Sequence, residues 1–255
     1  MARQSFADVR LPPGYLLEAH DALASTSDEA KRRAREGASS GLWIVAERQT
    51  KGRGRMGRPW VSGEGNLYAS LLLFPAIPLM RFPELSFVAA LAVAKTVARL
   101  APLAKVECKW PNDVLIEGKK VSGILVEAEN SKDPAHPWAV IGIGINVKTA
   151  PRNVDFPAGA LEDFIAEKIN KYIVFQELSN AFSWSLALWG KDGFKPIRTQ
   201  WLNLAWRRGG DVRLETGGEV VAGRFEGVSE GGAMLLRQSD GQCREIVSGT
   251  VLKGA

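Results

Sequence analysis

The 255 residues carry 33 Lys and Arg against 28 Asp and Glu, a net charge of +5, with 45% hydrophobic and 24% charged residues. That balance is ordinary for a globular chain and excludes a low-complexity or collagen-like one, while no apolar run reaches the roughly 20 residues a membrane helix needs. Cys108 and Cys243 stand far apart in no paired motif, which argues against a disulfide framework or zinc site. Met1–Arg10 carries charge and no apolar core segment, so nothing there reads as a secretory signal and a cytoplasmic location is expected.

In chain order, Tyr15–His20 has the pattern of a short edge strand. Ser25, Thr26 and Ser27 then precede the helical run Ala30–Glu36. A hydroxyl ahead of a helix caps its unpaired first-turn amides, but one suffices, so the surplus hydroxyls can face a ligand. Gly41–Glu47 and Asn66–Phe74 read as buried strands. Between them lies Gln49-Thr50-Lys51-Gly52-Arg53-Gly54-Arg55-Met56-Gly57-Arg58-Pro59-Trp60, a run neither helix nor central strand would choose. Its glycines permit close approach of backbone to a ligand, and its arginines offer planar forks of donors suited to carboxylate and phosphate. With the flat indole of Trp60 at its end, the loop reads as a mobile anion clamp for a nucleotide. A basic loop is also what a solvated surface or a non-specific nucleic-acid patch looks like, and on charge alone that reading stays open.

Leu85–Leu100 has helical apolar spacing, and Val106–Ile116 reads as a strand interrupted at Pro111, where Lys109, Asn112 and Asp113 cluster. The turn Glu117-Gly118-Lys119 leads into a second hairpin strand with Lys120 near its start and Gly123 within it. Ala139–Val147 carries Gly142 and Gly144 in its interior and ends beside Asn146, so its glycine face is expected to floor a pocket for a flat ligand. Leu161–Trp206 reads as helical, and beyond Gly209-Gly210 short strands separated by glycine turns suggest a small antiparallel barrel. The expected domains are 1–208 and 209–255. His20 and His136 have no motif context, which leaves a serine hydrolase built on Ser25 without a base.

The clamp, Lys120 beside Asn112 and Asp113, and the glycine strand together suit joining a carboxylate to the α-phosphate of ATP. Both reactants are anions that repel, and a positioned cation between them serves the charge that grows in the transition state. Gln49–Trp60 resembles the GRGRRGRxW signature of the biotin protein ligases, with Met56 where the family has arginine. Lys109–Asp113 resembles its KWPND, Lys120–Glu127 its KxxGILVE and Gly142–Asn146 its GxGIN, in family order and over nearly the whole chain.

The resemblance implies an α+β fold: a mixed or antiparallel sheet packed with helices, like class II aminoacyl-tRNA synthetases, followed by a small SH3-like barrel. It implies biotin activation to biotinyl-5′-AMP with ATP and Mg2+, and transfer to a lysine of a biotin carboxyl carrier domain. Lys120, Arg53 and Asp113 would be catalytic. Ser25, Thr26, Ser27, Gln49, Gly52, Arg53, Lys120, Gly123, Gly142 and Gly144 would bind biotin, Ser27 standing where the family has asparagine. Arg53, Arg55, Arg58, Trp60, Asn112, Lys120 and Asn146 would hold ATP and the adenylate. With the ligand hydroxyls starting at Ser25, no sequence-specific DNA binding is expected, no membrane is expected, and a homodimer is left open. The alternatives are a lipoate-type ligase on the same scaffold and a nucleic-acid-binding module using the basic loop.

Overall fold

A computed structural model describes residues 4–129 and 137–252; His136 lies outside the described residues. The first layer is a seven-stranded sheet made of β1 (Leu16–Leu23), β2 (Leu42–Gln49), β3 (Leu67–Leu73), β4 (Val106–Lys109), β5 (Asp113–Ile116), β6 (Lys119–Glu129) and β7 (Trp138–Ile145), in the order β1-β2-β3-β7-β6-β5-β4. β3 and β7 fall in the middle because their residues are apolar on both faces, and every residue of β3 is buried. All neighbours pair antiparallel except β1 and β2, which run parallel. The predicted edge strand is therefore confirmed, but it enters through a crossover that periodicity does not reveal.

That crossover is α1 (Thr26–Arg35). Its small Ala30 and Ala34, four residues apart, lie on one face and pack against Leu42, Ile44, Leu72 and Val140. The other sheet face is covered by α2 (Glu84–Leu100), α3 (Lys171–Asp192) and α4 (Phe194–Asn203). There Trp43 meets Phe175 and Phe182 edge-on, with ring centroids 5.4 and 5.5 Å apart. The helical stretch expected over 161–206 is broken: Leu161–Phe164 forms only a short 3-10 turn, and Gly193, with φ 74°, separates α3 from α4.

Around Pro111 the chain reverses rather than merely pausing. β4 and β5 pair antiparallel, with Lys109 opposite Asp113, so the tight Trp110-Pro111-Asn112 connection brings those two charges together. The β5–β6 turn is as expected, with Glu117 and Gly118 both at positive φ (48° and 73°).

The second layer is a five-stranded antiparallel sheet of β8 (Asp211–Thr216), β9 (Glu219–Val228), β10 (Met234–Arg237), β11 (Cys243–Ile246) and β12 (Thr250–Val251), ordered β11-β10-β9-β8-β12. It is anchored to the first: the buried Trp110 indole donates to Gly232 O at 3.1 Å, and Arg198 Nε donates to Val228 O at 2.7 Å. Among the described residues no helix is long and apolar enough to cross a membrane.

Candidate functional site

Parallel pairing of β1 and β2 forces α1 to start at the carboxyl ends of both strands, and Leu23 stands opposite Gln49 in the register. The positive end of the helix dipole and its three hydroxyls are thereby delivered beside Gln49. Ser25 is the cap, its hydroxyl accepting from Asp28 N at 3.4 Å. Thr26 is held by Gln49, whose Oε1 accepts from Thr26 N at 2.8 Å and from Thr26 Oγ1 at 3.0 Å. Behind them Ser70 of β3, wholly buried, lies 2.8 Å from Thr26 Oγ1 and 3.1 Å from Ser27 Oγ. Ser70 escapes a reading by motif; its signal is a small hydroxyl in a strand otherwise made of aliphatic residues and Tyr68.

The arginine-glycine loop folds back on itself, with Gly54 N donating to Arg58 O at 2.7 Å and Trp60 N to Gly52 O at 2.9 Å. Arg53 pairs with Asp28 in the first turn of α1 at 2.5 Å. Arg55 reaches across to Asn112 Oδ1 at 3.4 Å, and to Ser248 Oγ and Gly249 O of the second sheet, each at 3.2 Å. Burial lowers the Arg55 pKa, against the attraction of Asp113. Arg58 approaches Glu215 at 3.9 Å. Met56 stands at a left-handed turn, φ 54°, and is largely exposed.

The indole of Trp60 lies flat on the sheet. A Cβ built on Gly144 would come within 2.5 Å of its ring, and one on Gly123 within 2.8 Å. A Cβ on Gly142 would meet Ser27 Oγ at 2.6 Å. The glycine face expected to floor a ligand is therefore first occupied by the protein's own side chains. Bare backbone at Gly123 and Gly144 seats the tryptophan; at Gly142 it seats a serine.

Lys120 sits beside a β-bulge: Leu115 pairs with Lys120 and Val114 with Ser122, leaving Val121 as the extra residue. Lys120 Nζ is 2.6 Å from Asp113 Oδ1 and 5.6 Å from the centre of the Trp60 ring. Lys109 Nζ lies 3.4 Å from Asp113 Oδ2 and 4.5 Å from the centre of the Phe156 ring. Burial disfavours the Asp113 charge, yet Lys120 and then Lys109 outweigh it and hold the carboxyl below the usual range. For Lys109 burial comes first and lowers its pKa, Asp113 only partly compensating. Asn112 Nδ2 donates to Ile124 O at 2.7 Å, and Asn146 Nδ2 to Gly159 O at 3.2 Å.

One cavity of about 660 Å3 gathers these parts. Its lining includes Ser25, Thr26, Ser27, Gln49, Arg53, Arg55, Arg58, Trp60, Asn112, Asp113, Lys120, Gly123, Gly142, Gly144 and Asn146. Gly52 is the expected residue that does not line it; its bare backbone instead lets Ser62 Oγ and Trp60 O come close, each 2.8 Å from a Cβ built there. Besides Tyr68 and Ala69 of β3, two further parts of the wall were missed from sequence. One is the irregular segment with Asp155, Phe156 and Ala158; the other is Glu215 and Gly249–Leu252 from the second sheet. Elsewhere Glu18, His20 and Glu29 gather within 4.8 Å, but the Arg33 guanidinium pairs with both carboxylates and satisfies them.

The comparisons with known proteins agree with this geometry. Residues 22–146 match the model of the biotin/lipoate A/B protein ligase family, and residues 209–254 that of the biotin protein ligase C terminal domain. A biotin–[acetyl-CoA-carboxylase] ligase of Paracoccus denitrificans is 38% identical, covering 86% of this chain and 92% of its own. The bifunctional ligase/repressor BirA of Bacillus subtilis is also 38% identical, over 89% of this chain and 71% of its own length. A solved biotin protein ligase from Aquifex aeolicus, in complex with biotin and ATP, superposes with a TM-score of 0.77 at 32% identity, covering 92% of this chain and 97% of that one. The chain belongs to the biotin protein ligase family.

Proposed function

We propose that this protein activates biotin with ATP to biotinyl-5′-AMP and transfers it to a lysine of a carboxyl carrier domain. The observation that carries the reading is that Lys120 and Arg53, from distant parts of the chain, line one cavity with the capped hydroxyls of α1. The hydroxyls and Gln49 offer hydrogen bonds to a polar head group. Lys120 supplies the cation between a carboxylate and the α-phosphate, and Asp113 at 2.6 Å keeps that ammonium in place. Holding the two anions in line can remove about 7–11 kcal/mol of barrier. The folded-back loop covers the adduct from water, and the acceptor amine must arrive neutral to displace AMP.

Asp113 lies between two lysines, with Lys120 Nζ 2.6 Å from Oδ1 and Lys109 Nζ 3.4 Å from Oδ2. Magnesium would come with the nucleotide, held chiefly by phosphate oxygens. Residues 1–208 serve as the catalytic domain and 209–255 as the SH3-like one, contributing wall rather than chemistry. A cytoplasmic setting suits a ligase that consumes ATP.

The reading is tested by pyrophosphate exchange into ATP with biotin, with lipoate and with no added acid. Biotin-dependent exchange is expected; exchange with lipoate alone refutes the assignment. Trp60 is the face on which adenine would stack, and a base–aromatic stack is worth about 1–3 kcal/mol. Gly144→Ala pushes the indole off its seat. The variant is expected to raise the KM for ATP roughly five- to a hundredfold. An unchanged KM for ATP would remove Trp60 from the nucleotide site.

A further inference from the structure

The hydroxyls behind the first turn of α1 form a chain with a direction, and the direction follows from which atoms carry hydrogens. The Thr26 backbone N–H can only donate, so the Gln49 atom 2.8 Å away is its acceptor oxygen, and the amide cannot be turned over. Thr26 Oγ1 lies 3.0 Å from the same oxygen and directs its single hydrogen there. Ser70 Oγ, 2.8 Å from Thr26 Oγ1, must then donate to Thr26. Ser27 Oγ, 3.1 Å from Ser70 Oγ, must in turn donate to Ser70. The opposite direction would set two lone pairs against each other between Thr26 and Gln49.

We infer that Ser70, wholly buried and outside the cavity lining, is a positioning residue that sets substrate specificity by fixing this direction. With the chain running Ser27 to Ser70 to Thr26 to Gln49, Ser27 and Thr26 have only lone pairs left for a ligand. Gln49 has only its amide N–H2 end left. A head group that satisfies both must carry N–H donors next to a carbonyl acceptor. The inference rests on the biotin reading and sharpens it: a cyclic urea has that pattern, whereas the dithiolane of lipoate has neither group and would leave buried polar atoms unpaired. Gly142 belongs to the same device. A Cβ there would lie 2.6 Å from Ser27 Oγ and 3.7 Å from Ser70 Oγ, so only glycine leaves Ser27 its donating position.

The test is equilibrium binding of biotin, desthiobiotin, lipoate and ATP to the wild-type chain, Ser70→Ala and Gly142→Ala. Desthiobiotin keeps the urea and lacks the sulfur ring, which separates recognition of the urea from packing around the ring. Ser70→Ala is expected to weaken biotin and desthiobiotin by the same factor, roughly ten- to a hundredfold, with ATP affinity within about twofold of wild type. Gly142→Ala, acting through Ser27, is expected to weaken the same two ligands and spare ATP. Folded variants that hold biotin as tightly as wild type, or that lose biotin and ATP alike, overturn the inference. A wild-type chain that binds ATP but no biotin brings down the biotin reading and the inference with it.

Discussion

Replacing Lys120 with alanine is expected to slow adenylate formation by about a hundred- to a thousandfold, the scale seen when one preorganised charge-stabilising donor is removed. The fold should survive. Lys120 is partly exposed, and its loss leaves Asp113 with Lys109 at 3.4 Å as a remaining partner. The acid side of the stability profile should nevertheless move. A carboxyl held below its ordinary pKa contributes stability above the ordinary value, and that contribution is lost as pH falls through the lowered one. Burial opposes the Asp113 charge and Lys120 is the first of the groups that overcome it, so without Lys120 the depression shrinks. The variant should therefore start from a lower plateau near neutral pH and lose less stability on acidification than wild type, with that loss complete at a higher pH. Single-turnover adenylate formation and melting curves across pH 3–6 check both halves, taken around the ordinary carboxylate range. Near-normal turnover would refute the role of Lys120.

Asp113→Asn is expected to be the more damaging change, because it strikes fold and chemistry together. The amide keeps the shape but leaves the deeply buried Lys109 ammonium without its counter-ion. Breaking a buried pair by removing one partner costs about 3–5 kcal/mol. For a chain of this size that is roughly 6–20 °C in melting temperature. Lys120 also loses its 2.6 Å anchor, so adenylate formation falls as well. The pH dependence separates charge from packing. Burial already lowers the Lys109 pKa, and without Asp113 it falls further. The unfolded chain then binds a proton the folded one does not, so stability rises with pH. The variant should recover part of its loss on the alkaline side, more steeply than wild type; a melting deficit that is flat with pH would show the damage to be steric.

Much of this site could be read directly from the chain. Redundant hydroxyls at one helix cap marked Ser25–Ser27, and a proline between Lys109 and Asp113 marked where a ladder must stop. The loop announced itself by glycines and arginines that regular structure would reject. What could not be read depends on contacts between distant segments. The parallel pairing of β1 with β2 leaves no mark on either strand's own pattern, yet it decides where α1 begins. Ser70 gains meaning only from Thr26 and Ser27, more than 40 positions away in sequence. The glycines of β7 were legible as places of close approach, but not what approaches: Trp60 over Gly144 and Ser27 over Gly142. Asp155 and Phe156 sit in irregular backbone with no period to betray them.

The Trp110–Gly232 bond also bears on how the molecule comes apart. A Cβ built on Gly232 would come within 2.8 Å of the Phe87 ring, and Val212, Leu214, Phe225 and Leu236 share one continuous apolar cluster with Val88, Phe194 and Trp201. Opening either sheet alone would strip the other of its cover and leave a buried indole donor unanswered. The two halves should therefore melt as one cooperative unit, with a single calorimetric peak whose van't Hoff and measured enthalpies agree.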